Sequence, residues 1–447
     1  MSPDIILHRL HGFCYNRSVQ KKSDADLVRG IRRWDLVAIT INGIIGAGIF
    51  GLPARVYALI GTYSLIAFVA CALVVALIIL CFAEVSSRFD ETGGPYLYAR
   101  EAFQPAVAFE IGWLFWLARV TAFAANCNLL VSYVSYFWLQ ATSPVWRASI
   151  IVFVVAVLAM INLLGIREAA IVSNAFTIGK LVPMILFVAA GLFFVNTQAY
   201  EFGPAPTTGD FSKSVLLLVF AFTGFEMATV PAGEVRDPQR NLPRALLIAL
   251  FVVAALYITI QIVCVGTLPE LAQSQKPLAD AGSRFLGTAG GAIISAGAII
   301  SITGNLNILL LSASRLPFAM AEQKQLPAVM GRIHTKFFTP HVAIAITAVL
   351  MMFLTLKSSF VAALTISAIA RLGTYAATCI ALPVFRARPE APAPAFRLPG
   401  GTVIAILALL LIVWLLLNST WAEAKAAALA AAAGLVIYFA YKLYSKS

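Results

Sequence analysis

The chain has 447 residues, 61% of them hydrophobic and only 12% charged, with a formal net charge of +12. A soluble protein holds about 25% charged residues, so the composition excludes a soluble enzyme or binding module and calls for a bilayer. Apolar runs of about 20 residues, the length that crosses the hydrocarbon, recur along the whole chain and leave no room for a separate soluble domain.

The opening stretch, MSPDIILHRLHGFCYNRSVQKKSDADLVRG, lacks the apolar core of a cleavable signal. Residues 1–33 are read as a cytosolic tail whose Arg and Lys face anionic membrane lipid. Spans are then expected at 34–60, 62–84, 105–138, 148–164, 172–196, 213–232, 243–268, 288–312, 340–356, 359–385, 402–418 and 422–443. With twelve spans both termini share a side. Taking that side as cytoplasmic puts 22 of the 32 Lys and Arg inside, seven outside and three within spans. Such an excess fixes orientation. The basic balance therefore reports topology rather than a nucleic-acid partner, and the expected location is the plasma or inner membrane. The six cysteines (Cys14, Cys71, Cys81, Cys127, Cys264, Cys379) are scattered without a CxxC spacing. They predict small apolar side chains, with no disulfide framework, metal or cofactor.

Two of the spans are interrupted. The first contains NGIIGAGIFGLP, residues 42–53, four glycines and a proline inside an otherwise apolar stretch. The sixth reads VFAFTGFEMATVPAGEVRDP, residues 219–238, and adds a glutamate to its Gly and Pro. Glycine and proline weaken or stop helices, and in lipid a broken helix survives only where protein or a watery cavity covers the break. One break opens the first five spans and the other opens the next five. Breaks at corresponding places of two halves point to the binding site of an inverted-repeat transporter; kinked helices packed through glycine are the plainer alternative.

Helix ends supply the chemistry. A break near Gly46–Gly48 frees N–H groups at the positive end of the outer half-helix, an anion site built from Ile45, Gly46, Ala47 and Gly48. A break near Ala221–Gly224 frees carbonyls able to accept from an ammonium. A carboxylate site facing an ammonium site describes a free amino acid.

At these residues the sequence resembles the amino acid–polyamine–organocation (APC) superfamily of permeases. Its first-helix glycine signature matches Gly46-Ala47-Gly48-Ile49-Phe50, and its sixth-helix element matches Gly224-Phe225-Glu226, followed by PAGEVRDPQRNLPRAL. ETGGPYLYAREAF (Glu91–Phe103) and SASRLPFAMAEQKQLP (Ser312–Pro327) look like the family's loops after the second and eighth helices. The resemblance covers about residues 34–440. It implies an all-α polytopic fold of LeuT type, with a first five-helix repeat at 34–196, an inverted second repeat at 211–385, and two peripheral helices with a short cytosolic end at 402–447.

Four ionisable residues lie deep in spans, where charge is costly and marks function. Lys180, in SNAFTIGKLVPMILF, is a cation that can exchange a proton near neutrality when stripped of water. The resemblance places it where sodium-coupled relatives hold an ion, bridging the first and eighth helices, and so implies sodium independence; a lysine snorkelling to the interface is the plainer reading. Glu226 is a proton site or orients the unwound segment by hydrogen bonds, with a structural partner of Arg119 or Arg371 as the plainer reading. Arg119 aligns near pocket positions of the third helix in arginine/agmatine exchangers of the superfamily. There it would repel a cationic side chain or hold Glu226 or a substrate carboxylate; a rivet to backbone carbonyls is the alternative, and it applies to Arg371 as well. Ser301 and Asn305, in SITGNLN, are placed to meet Lys180 or substrate. Phe115, Phe220 and Phe222 are aromatic candidates for closing the pocket, with packing as the alternative, beside Ala221 and Gly224.

The function these features support is a secondary amino-acid carrier working by alternating access. It is expected to be sodium-independent, coupled to protons or exchanging, with neutral side chains favoured. A carrier of polyamines, organic amines or cationic amino acids would need more acidic groups than Glu226. A non-transporting amino-acid sensor would bind without flux. The spans contain no HExxH, nucleophile motif or Asp pair, so no enzyme is expected.

Overall fold

The computed structural model describes residues 29–444 apart from 92, 165–168 and 338. Cys14 and most of the expected cytosolic tail thus lie outside the described residues. What is described is helical, with one isolated backbone bridge between Ile31 and Val235.

The first apolar run is delivered as two helices, α1 (Arg33–Ile44) and α2 (Gly48–Ile60). The Asp35 carboxylate accepts the Arg32 N–H at 3.0 Å and sits favourably in the first turn of α1. Neither half-helix alone is long enough to cross the hydrocarbon. A short turn at Gly61, whose φ of 56° suits glycine, leads into α3 (Ser64–Ser86). The amphipathic α4 (Pro95–Ala102) precedes α5 (Pro105–Val134), which is buried along most of its length and forms the axis of the bundle.

Then come α6 (Pro144–Leu164) and α7 (Ala169–Gly191). The sixth apolar run is α8 (Thr208–Phe222), a break at Thr223-Gly224, and a tight 3-10 turn over Phe225–Thr229. Long helices follow in α9 (Pro238–Thr267) and α10 (Pro277–Glu322), the latter bent at Gly287. The bundle ends with α11 (His341–Lys357), α12 (Phe360–Ala387), α13 (Gly401–Leu417) and α14 (Trp421–Tyr444).

Among the described residues eight helical stretches are long and apolar enough to cross a membrane. Three shorter apolar helices stand beside them, at Lys180–Phe194, His341–Lys357 and Gly401–Leu417. The chain is therefore an all-helical, multi-pass membrane protein. One large apolar core runs through it, into which α5, α8 and the inner faces of α10 and α12 are sunk. Helix α14 sits at the rim and turns Leu429, Val436 and Leu443 outward, as lipid contact requires.

The two broken runs are stitched together at one end of the bundle. Ile31 donates its N–H to the Glu234 carbonyl at 3.1 Å, and Arg236 returns an N–H to the Ile31 carbonyl at 2.9 Å. At the same end Glu84 of α3, fully buried, binds Arg386 of α12 through both carboxylate oxygens (2.8 and 2.6 Å) and accepts the Leu398 N–H at 2.9 Å. That carboxylate fixes the connection into α13, because each of its oxygens has a donor.

Candidate functional site

The breaks meet. Gly43 of α1 and Gly224 pack backbone to backbone: a Cβ on Gly43 would lie 2.8 Å from the Gly224 carbonyl oxygen, and one on Gly224 would strike the Gly43 carbonyl. Gly224 also has a φ of 111°, which a side chain rarely tolerates. One turn further, Gly48 lies flat on α8, where an added Cβ would sit 2.7 Å from the Ala221 Cα. The glycines thus do two jobs: they interrupt the helices and let the interrupted ends touch.

Between the ends lies a small cavity of ≈ 30 Å³. Gly43, Gly46, Gly48, Asn126, Asn305 and Arg371 are among its lining residues, with Ala47, Phe220, Thr223 and Gly224. It has room for only a water or two, so a larger ligand enters when the half-helices part.

The backbone groups at the break are satisfied unevenly. Lys180 donates from Nζ to the carbonyls of Asn42 (2.8 Å) and Ile45 (2.9 Å). Tyr257 donates to the Ile44 carbonyl at 3.3 Å, and the Gly46 N–H goes to that same oxygen at 2.8 Å. The negative end of α1 is thereby closed by a buried ammonium, a favourable partner for a helix C-terminus. The start of α2 is open: among the described residues Ala47 finds no backbone acceptor, and the N–H groups of Gly48 and Ile49, first in their helix, have none within it. At the end of α8 the Thr223 hydroxyl caps the Phe220 carbonyl at 2.8 Å, while those of Ala221 and Phe222 receive no hydrogen bond among the described residues. Free donors at a positive helix end thus adjoin free acceptors at a negative one.

A charged layer borders the cavity. Glu226, fully buried, accepts from Arg371 Nη1 at 2.5 Å, from the Tyr375 hydroxyl at 2.8 Å and from the Gly224 N–H at 2.9 Å. Arg371 and Tyr375 stand one turn apart on α12, so a single helix face delivers both donors. Arg119 Nη1 reaches Ser312 on α10 at 2.5 Å, and its guanidinium lies 4.1 Å from the Phe115 ring centre. Arg119 shares a face of α5 with the lining residues Ala122 and Asn126, the nearer of them one turn away, and Ser312 continues the α10 face of Asn305 and Leu309.

Of the residues singled out from sequence, Gly46, Ala47, Gly48, Phe220, Gly224, Asn305 and Arg371 line the cavity. Ala221 is spent on packing against Gly48, and Phe222 packs edge-on against Tyr257 at 5.2 Å. Phe115 lies under Arg119. Ile45 offers its carbonyl to Lys180, whose described bonds both go to the end of α1. The Ser301 hydroxyl is buried on α10 without a partner in the described residues. Asn126 was not anticipated, although an amide in an apolar span is itself a signal; it donates to Asn305 Oδ1 at 2.7 Å. Thr223 and Met227 also line the cavity, and nothing in their spacing marked them out.

A family model described as amino acid permease matches residues 31–440. The branched-chain amino acid permease BcaP of Bacillus subtilis is 28% identical, over 94% of this chain and 97% of the relative. The serine/threonine exchanger SteT of the same organism is 30% identical over 72% and 75%. The methylthioribose transporter of that bacterium is 28% identical over 95% of both chains.

Proposed function

The chain belongs to the amino acid permease family, and from that premise we propose that it is a secondary carrier of amino acids working by alternating access. Its relatives are transporters, not enzymes. The observation that carries the mechanism is the pairing of open N–H groups at the start of α2 with open carbonyls at the end of α8. These ends match the carboxylate and the ammonium of one zwitterion, as dipole and hydrogen bonding both require. We read the helices as a twelve-span LeuT-type assembly, two inverted five-helix repeats with α13 and α14 outside them, both termini cytoplasmic, in the plasma or inner membrane.

Lys180 already supplies a cation to the α1 carbonyls, so the carrier needs no sodium there; protons or exchange supply the coupling. Neutral side chains are favoured over cationic ones, because Glu226 is already paired with Arg371 and Arg371 itself lines the cavity. A carrier of cationic amino acids or polyamines would need a free carboxylate at that place. The test is uptake by purified protein in liposomes, with a panel of labelled amino acids, choline exchanged for sodium, and an imposed pH gradient. Uptake of neutral amino acids that ignores sodium upholds the reading. Steep sodium dependence overturns the role of Lys180, and binding without flux makes the protein a sensor.

A further inference from the structure

The charged layer beside the cavity does not balance. Among the described residues it holds two guanidinium groups, Arg119 at 3% and Arg371 at 5% exposure, against the single carboxylate of Glu226. Arg119 lies within electrostatic reach of both others. Glu226 takes its donors from Arg371, Tyr375 and Gly224 rather than from Arg119. Each arginine also keeps a buried Nε with no hydrogen-bond partner among the described residues. An uncompensated guanidinium in this setting is expensive, and a buried N–H left without an acceptor adds to that cost. One monovalent anion would remove both defects.

We propose that the floor of the cavity, between Arg119 on α5 and Arg371 on α12, is a site for one small anion. The proposal rests on the carrier reading for its place on the substrate path, though not for its chemistry. Two sources supply such an anion: a free halide, bound alongside a neutral amino acid, or the side-chain carboxylate of an acidic amino acid whose own backbone occupies the helix ends. Arg119 is the specificity-determining residue, because its guanidinium has no carboxylate partner among the described residues. Its bond to Ser312 leaves further N–H groups for a ligand.

The experiment is a thermal-stability titration of the purified full chain in potassium gluconate. Potassium chloride is added at constant ionic strength, and in separate arms L-aspartate, L-glutamate, L-asparagine or L-glutamine. A saturable rise with chloride identifies the halide; a rise with the acids that their amides do not reproduce identifies the carboxylate. In Arg119→Met the midpoint of whichever titration responds rises at least tenfold, and Arg119→Lys, which keeps the charge and loses the planar fork, lies between. Should Arg119→Met fail to fold, the Arg119→Lys shift and the wild-type arms still decide. No response to chloride or to either acid overturns the site, as does an unchanged midpoint in the Arg119 variants. Uptake of labelled neutral and acidic amino acids is measured in parallel, in gluconate and in chloride. Its absence in every arm overturns the carrier reading without touching the stability titration, and its presence without any anion response removes the anion site alone.

Discussion

Replacing Glu226 by glutamine separates a fixed anion from a proton carrier. The change keeps the shape of the side chain and removes its charge. In the wild type three donors converge on two carboxylate oxygens, from Arg371, Tyr375 and Gly224. An amide has one acceptor oxygen and brings two N–H donors of its own, so at least one of the three bonds is lost and Arg371 stays buried without a counter-charge. Breaking a buried ion pair from one side costs about 3–5 kcal/mol. If that loss falls on the unfolding barrier, the half-life of monodisperse protein in detergent drops by about a hundredfold or more, at about 1.4 kcal/mol per decade. Half-life is the right readout because large membrane proteins unfold irreversibly. Glu226→Gln with Arg371→Gln removes both charges and is expected to recover most of the loss, which gives the coupling directly. A Glu226→Gln protein with the wild-type half-life and no proton-driven accumulation would refute this, and would make Glu226 a site of protonation.

Gly48→Val forces a side chain onto the Ala221 backbone, which a Cβ would already approach to 2.7 Å. It is expected to lose about 1–3 kcal/mol of stability by overpacking together with binding, seen as parallel losses in thermal stability and ligand shift. Gly46→Ala meets only the Asn305 side chain at 3.3 Å and is expected to weaken binding while thermal stability holds. Lys180→Ala leaves the Asn42 and Ile45 carbonyls without their donor and should slow uptake more than it weakens equilibrium binding of the same labelled amino acid. For side-chain selectivity, neutral amino acids should compete for uptake better than arginine in the wild type. A residual repulsion of about 1.4 kcal/mol gives tenfold discrimination, and Arg119→Ala should narrow that gap.

The breaks could be read from sequence because glycine and proline interrupt the helix that an apolar run would otherwise form. What glycine does once the helix is broken could not. Gly48 suggested an exposed N–H and proves also to be a packing surface for α8; the Gly46 N–H turns back onto the Ile44 carbonyl instead of facing a ligand. Buried charges were equally legible as singular residues, yet their partners depend on how helices cross. Glu226 could have met Arg119 or Arg371. The α12 face that carries Tyr375 one turn from Arg371 decides it, and Arg119 is left to Ser312 on α10. Asn126 escaped notice because its meaning depends on Asn305, 179 residues away. Length and hydropathy alone undercount the first run, since α1 is too short to register as a span and α2 registers only together with α3.

The uneven satisfaction of the break bears on what can drive transport. A metal ion at the end of α1 would bind and leave with each cycle, so its gradient could do work. Lys180 places a cation on the Asn42 and Ile45 carbonyls but is tethered to α7, so it cannot cross and carries no gradient energy as an ion. It can contribute in two ways only. As a permanent ammonium it holds α1 and α7 together, and the substrate's own gradient or a counter-substrate supplies the work. As an ammonium that surrenders its proton, it loses the charge that strengthens its bonds to the two carbonyls and loosens its hold on the end of α1, and the proton gradient supplies the work. On the proposed reading neither case needs a sodium ion at the break. Uptake that responds to an imposed pH gradient in the wild type and ignores it in Lys180→Ala selects the second; uptake indifferent to the gradient in both, yet accelerated by unlabelled amino acid on the far side, selects the first.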